Sequence, residues 1–166
     1  MSRLLVIEVA GLGWNLVERY GVPASGIGLD LAPLAPCFPA VTCTAQATFR
    51  TATPAARHGI VCNGRFDRRT CKTDFWNQSA RLVEGKRIWA DGRDAGLRVG
   101  LLFWQQSLGE DADLLLSPAP IHRHHGGMIQ DCYGQPPGLY AQLCADLGRR
   151  FDLRHYWGPL ASGRST

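Results

Sequence analysis

Residues 86–104, KRIWADGRDAGLRVGLLFW, decide the fold class. Lys86 to Ala95 has helical spacing with apolar residues at Ile88, Trp89 and Ala95, and Gly96 follows where a helix stops in a left-handed residue. Leu97 to Trp104 is then apolar almost throughout. That is the pattern of a strand buried on both faces, as in a parallel sheet covered by helices. A second apolar run, Ala112–Leu116, reads as another strand closed by Ser117-Pro118-Ala119-Pro120. Helix then strand, repeated, makes this an α/β chain with a mostly parallel sheet.

Working outward, Arg3–Val9 (RLLVIEV) reads as a further buried parallel strand ending in a turn at Ala10-Gly11-Leu12-Gly13. Trp14–Tyr20 suits a helical turn or two, and Gly21–Pro39 reads as a loop. Arg65–Thr73, with Arg65, Arg68, Arg69 and Lys72, reads as a polar, solvated loop. Asp74–Val83 has helical spacing, with Phe75, Trp76, Ala80 and Val83 on one side. Ile121–Pro137 reads as a loop holding His122, Arg123, His124 and His125, whose H-x-H-H spacing is not that of a structural zinc site. Pro137–Leu147 is an amphipathic helix, with Leu139, Leu143 and Leu147 at i, i+4 and i+8.

Length and composition bound the rest. With 166 residues, 45% of them apolar and 19% charged, the chain can bury a core as one domain or as part of a larger one. A formal charge of +4 suits anionic small molecules but falls short of the basic footprint of a nucleic-acid binder. Glu8 breaks the apolar run Leu4–Ile7 well before it reaches the length of a membrane span or a signal-peptide core. Cys37, Cys43, Cys62, Cys71, Cys132 and Cys144 form no C-x-x-C pair and read as free thiols, which makes the cytoplasm the expected location.

Phe38–Gly64, FPAVTCTAQATFRTATPAARHGIVCNG, carries the chemistry. Thr44–Ala52 reads as a short helix with Thr42 or Thr44 as N-cap, stopped by Pro54. His58-Gly59 leads into the apolar step Ile60-Val61-Cys62 and a turn at Asn63-Gly64. A hydroxyl at a helix N-terminus sits where unpaired N–H groups and the helix dipole favour a phosphate.

Phe38-Pro39, Thr42, Thr51, His58-Gly59-Ile60 and Asn63 occur in the order and spacing of a known family. The stretch resembles the type I phosphodiesterase/nucleotide pyrophosphatase family of the alkaline phosphatase superfamily. Ile88-Trp89 and Phe103-Trp104 resemble that family's helix tryptophan and strand end. The resemblance covers most of the chain and corresponds to the N-terminal part of a full-length member, so that residues 1–166 are expected to be the first part of one catalytic domain. It implies an alkaline-phosphatase-like α/β sandwich with a mostly parallel central sheet flanked by helices, here cut short. It also implies a metal-dependent hydrolase of phosphodiester or nucleotide pyrophosphate bonds, working on a small phosphoester or nucleotide through a phosphothreonine. Thr42 would be the nucleophile and would bind zinc through Oγ, because a bound metal lowers the pKa of an otherwise weak nucleophile. Asn63 would bind substrate by donating its amide to a phosphate oxygen. His58 would be structural, shaping the turn.

Two departures limit this expectation. Where the family has its first metal-binding aspartate the chain has Ala10, before Gly11. Glu8, two residues earlier on the same strand face, reads equally as a substitute metal ligand with a longer arm or as an acid with no metal. Ala52 likewise stands where the family favours glycine. A two-zinc site needs about five or six Asp and His ligands, and in the family most of them come from later chain. The expected enzyme is therefore impaired; the alternative is a non-catalytic binding module or a degenerate fragment.

Overall fold

A computed structural model describes residues 3–21, 30–119, 121–122 and 128–153. They fall into two compact units, Met1–Cys37 and Phe38–Thr166. Arg123, His124 and His125, the rest of residues 123–127, and the aromatic segment at 154–166 lie outside the described residues.

In the first unit, helix α1 spans Trp14–Tyr20 as expected, and the Trp14 Nε1–H donates to Glu18 Oε1 at 2.7 Å. The expected turn before it is present, with Leu12 N–H donating to the Val9 carbonyl and Gly11 at φ 76°. Arg3–Val9, expected to be a buried strand, forms none, and Leu4 and Leu5 are 89% and 81% exposed. A parallel strand takes all its hydrogen bonds from neighbouring strands, and among the described residues of this unit no other strand is present to supply them.

The second unit begins with helix α2, Thr42–Thr51, and a single helical turn α3, Ala55–His58. Helix α2 starts two residues before the expected point, and Val41, not a threonine, occupies its N-cap position with φ −120° and ψ 156°. The expected loop after Asn63 is instead a hairpin: strand β1 (Gly64–Asp67) pairs antiparallel with β2 (Lys72–Phe75). Its tight turn is shaped by Asp67, whose carboxylate accepts the Arg69 N–H at 2.8 Å. The same pairing removes the start of the helix expected at Asp74–Val83. Beyond β2, Trp76 adopts φ 57°, the Gln78 amide donates to the Trp76 carbonyl, and the Asn77 side chain accepts the Ser79 N–H. Side chains that bond nearby backbone groups compete with helix formation, and only a short 3₁₀ turn, Ala80–Leu82, survives.

Helix α4 forms over Ala90–Asp94, half the expected length, and ends before Gly96 at φ 84°. Strand β3 is confined to Gly100–Leu102, because Phe103 turns to φ 62°. Within it Leu101 is buried, but Leu102, whose side chain points to the opposite face of the sheet, is not. Strand β4 (Leu114–Pro118) is central, parallel to β3 and antiparallel to β7 (Cys132–Gln135). The small two-stranded pair β5 (Ile121–His122) and β6 (Met128–Ile129) and strand β7 occupy what reads in sequence as a loop. The class is α/β, but the three-stranded sheet is mixed, with one parallel and one antiparallel pairing in place of the mostly parallel sheet expected. Helix α5, Leu139–Asp146, forms where a helix is expected, but of the expected face only Leu139 is buried: Leu143 is half-buried, and Leu147 lies past the helix end and is 62% exposed. No described helix is long and apolar enough to cross a membrane.

Two apolar clusters form the core of this unit. One, under α2, joins Cys43, Ala47, Ile60 and Val83; the other, under the sheet, joins Leu101, Ala112 and Leu115. Between them runs Trp104–Glu110, held by glutamines. Gln46 Oε1 accepts the Gln105 N–H at 2.8 Å, Gln78 donates to Gln105 Oε1 at 2.6 Å, and Gln106 N–H donates back to Gln78 Oε1 at 3.1 Å. Tyr133 OH also donates to Gln78 Oε1 and meets Ser107 Oγ, which ties β7 to the same segment. Polar groups buried this deeply must find partners, since each unmet one costs roughly 1–3 kcal/mol.

Candidate active site

Helix α2 exposes its start and buries its length. Successive residues advance by about 100° around a helix, so Gln46 and Arg50 share one flank, Cys43 and Ala47 the middle, and Thr44, Thr48 and Thr51 the other flank. All of these are buried except the half-buried Thr48. Thr42, the first helical residue, is half-buried and open to solvent.

The first turn of a helix has N–H groups without intrahelical partners, and Val41 has no side chain to cap them. The cap comes from 20 residues on in sequence: Asn63 Oδ1 accepts the Cys43 N–H at 2.9 Å. This commits the carbonyl end of the Asn63 amide and leaves its NH₂ end as a donor beside the helix start. Asn63 is fixed from its backbone as well, because its carbonyl accepts the Trp76 N–H at 2.9 Å at the base of the hairpin. Thr42 and Asn63, paired in the sequence reading by a motif alone, are thus neighbours. Glu8 belongs to the first unit and is described within that unit only.

The opposite end of α2 carries charge. Arg50 is fully buried; its Nη1 donates to the Gln106 carbonyl at 2.8 Å and lies 3.7 Å from Glu110 Oε2, which also accepts Arg87 Nε at 2.8 Å. Burial lowers the Arg50 pKa to about 10, against the opposing pull of Glu110. Nothing in the sequence reading marked this cluster; a lone arginine on the apolar side of a short helix was its only signal.

His58 lies at the end of α3. Its ring is fully buried, its Nε2 meets Thr48 Oγ1 at 3.0 Å, and its Nδ1 accepts the Ile60 N–H at 3.1 Å. Both ring nitrogens are thus engaged in hydrogen bonds within the chain. Cys43, next to Thr42, is held as a thiol because burial pushes its pKa up to about 11. Among the described residues no group of three or more His, Cys, Asp or Glu side chains comes together to hold a metal ion. The described donors therefore do not fit the two zinc ions that the resemblance implies.

No curated protein and no solved structure matches the chain. The sequence model of a family described as Type I phosphodiesterase / nucleotide pyrophosphatase matches residues 4–154 of the 166. That span contains the α2 start, Asn63 and the sheet that follows, and this chain belongs to the type I phosphodiesterase/nucleotide pyrophosphatase family.

Proposed function

We propose that the chain carries the nucleophile half of a phosphodiester or nucleotide pyrophosphate hydrolase. The family acts on small phosphoester or nucleotide substrates. In this reading the phosphoryl group lies at the start of α2, where the N–H groups and the helix dipole favour negative charge. Thr42 Oγ attacks phosphorus, a P–O bond to the leaving group breaks, and the hydroxyl proton passes to the departing oxygen through solvent. Water then cleaves the phosphothreonine and restores Thr42. The Asn63 NH₂ donates to a non-bridging oxygen and stabilises the charge that builds there. The observation that supports this reading is the 2.9 Å bond from the Cys43 N–H to Asn63 Oδ1, which ties Asn63 to the first turn of α2 and leaves its NH₂ uncommitted by that bond.

Among the described residues no group of metal-binding side chains comes together to activate the Thr42 hydroxyl. Turnover by this chain is accordingly expected to be low. That same shortage of metal-binding side chains favours a second reading, a module that binds phosphoesters without cleaving them.

A chromogenic phosphodiester assayed with added zinc separates the readings. Hydrolysis with the substrate's phosphoryl group, still carrying its remaining ester substituent, trapped on Thr42, abolished by Thr42→Ala and reduced about 100- to 1,000-fold by Asn63→Ala, supports the hydrolase. Binding without turnover supports the module, and turnover that survives Thr42→Ala overturns the nucleophile assignment.

A further inference from the structure

We infer that His58 is a positioning residue: its imidazole, seated against Thr48 of α2, accepts the Ile60 N–H and so holds in shape, as a latch, the turn that brings Asn63 to the start of α2. The significance for phosphate rests on the proposed function; the latch itself does not.

His58 opens a six-residue segment, HGIVCN, that ends at Asn63. The segment meets α2 at three levels. At its start the His58 ring reaches Thr48 Oγ1. In its middle Ile60 packs in the cluster with Cys43 and Ala47. At its end Asn63 Oδ1 receives the Cys43 N–H. The ring also holds its own segment in shape, since Nδ1 accepts the Ile60 N–H two residues on. Only one neutral tautomer makes both ring bonds: a bare Nδ1 accepts from Ile60 while the Nε2–H donates to Thr48. The backbone completes the grip, with the Glu84 N–H donating to the His58 carbonyl at 3.0 Å and Gly59 turning at φ 80°.

A proton added to Nδ1 converts that acceptor into a donor, and the Ile60 N–H then faces another N–H. The charged side chain acting on the ring is Arg50 from α2, while Glu84 meets His58 through its backbone. Burial, the largest influence, and the Arg50 cation push the ring below the ordinary histidine range, against the opposing effect of a backbone hydrogen bond. A depressed histidine keeps its neutral form in the folded state. The stability it contributes is therefore complete above about pH 6.5 and is lost as pH falls below that value, while in the folded chain the latch itself opens only at the lower, folded pKa.

Two solution measurements on the ¹⁵N-labelled chain test this. Imidazole nitrogen shifts give the tautomer and protonation of His58, and the hydrogen-exchange protection factor of the Cys43 amide reports the bond to Asn63. The expected result is a neutral Nε2–H ring whose protonation lowers Cys43 protection about tenfold, the worth of one net hydrogen bond. In His58→Asn the side-chain oxygen stands near the position of Nδ1 and can still accept from Ile60, so protection is retained and its acid dependence disappears. In His58→Gln the amide reaches toward Thr48 instead, and protection falls about tenfold.

Cys43 protection that stays constant while His58 titrates overturns the latch, as do equal losses in the Asn and Gln variants. The wild-type titration needs no variant to fold. Inorganic phosphate added to the same samples separates this inference from the functional one. A working latch with no phosphate binding sustains the positioning role and overturns the phosphate site, whereas phosphate binding with a pH-indifferent Cys43 amide overturns the latch alone.

Discussion

At its first turn α2 is held by apolar packing of Cys43 and a neutral hydrogen bond from the Cys43 N–H to Asn63, while at its last turn Arg50 is sunk without exposure against Glu110 and the Gln106 carbonyl. The first arrangement is open and leaves Thr42 in contact with solvent; the second is closed and removes a cation from water. A buried charge tolerates little movement, because losing its partner strands it in a poorly solvating medium. A neutral capping bond is worth less, about 1 kcal/mol. The helix is thus fixed by a buried charge at one end and by apolar packing and a neutral cap at the end proposed to meet substrate.

The largest expected effect tests the closed end. Glu110→Gln removes the acid shared by Arg50 and Arg87 and should cost about 3–5 kcal/mol of stability in denaturant unfolding. A cost no greater than that of breaking the Asn63 cap would erase the contrast between the ends. That cap comes next. Asn63→Ala leaves the Cys43 N–H without its protein partner and should lower stability by about 1 kcal/mol, read from the shift in the same midpoint. The smallest effect has the opposite sign. Helix α2 ends at Ala52 with φ 50° and ψ 33°, a left-handed backbone that suits glycine. Ala52→Gly should therefore stabilise the chain, by roughly 1 kcal/mol or somewhat less. Destabilisation by this change would show that the helix end is not strained as its backbone angles require.

The elements legible in sequence were those whose signal is local and periodic. Helix α5 and strand β4 fall within a few residues of their expected limits, and α2 differs by two at its start. Thr42 and Asn63 were legible as a pair through an ordered motif, although the bond that joins them runs through the backbone of Cys43, which no side-chain pattern reveals. The hairpin was not legible. Arg65–Thr73 looks like a charge run, and its pairing depends on Asp67 bonding the turn and on cross-strand partners that acquire meaning only once the strands meet. Nor was the mixed character of the sheet legible, because β7, CYGQ, has neither an apolar run nor a clean alternation. Its place is set instead by Tyr133, which reaches the glutamines of another segment. The polar side of α2 had one readable trace, the threonines at 44, 48 and 51, whose helical spacing marks the flank to which His58 is bonded.

The hairpin also has a consequence for how such a chain can vary. It leaves and returns at Asn63 and Trp76, which are bonded backbone to backbone, so it is a closed excursion whose ends are already joined. Lengthening its exposed tip at Arg68–Cys71 adds only the slowly growing entropy of a longer loop and transmits no displacement to the residue at its root. Sequence length is inexpensive there and costly on either side, which makes the tip the natural point for relatives of this chain to gain or lose residues while keeping the geometry around Thr42.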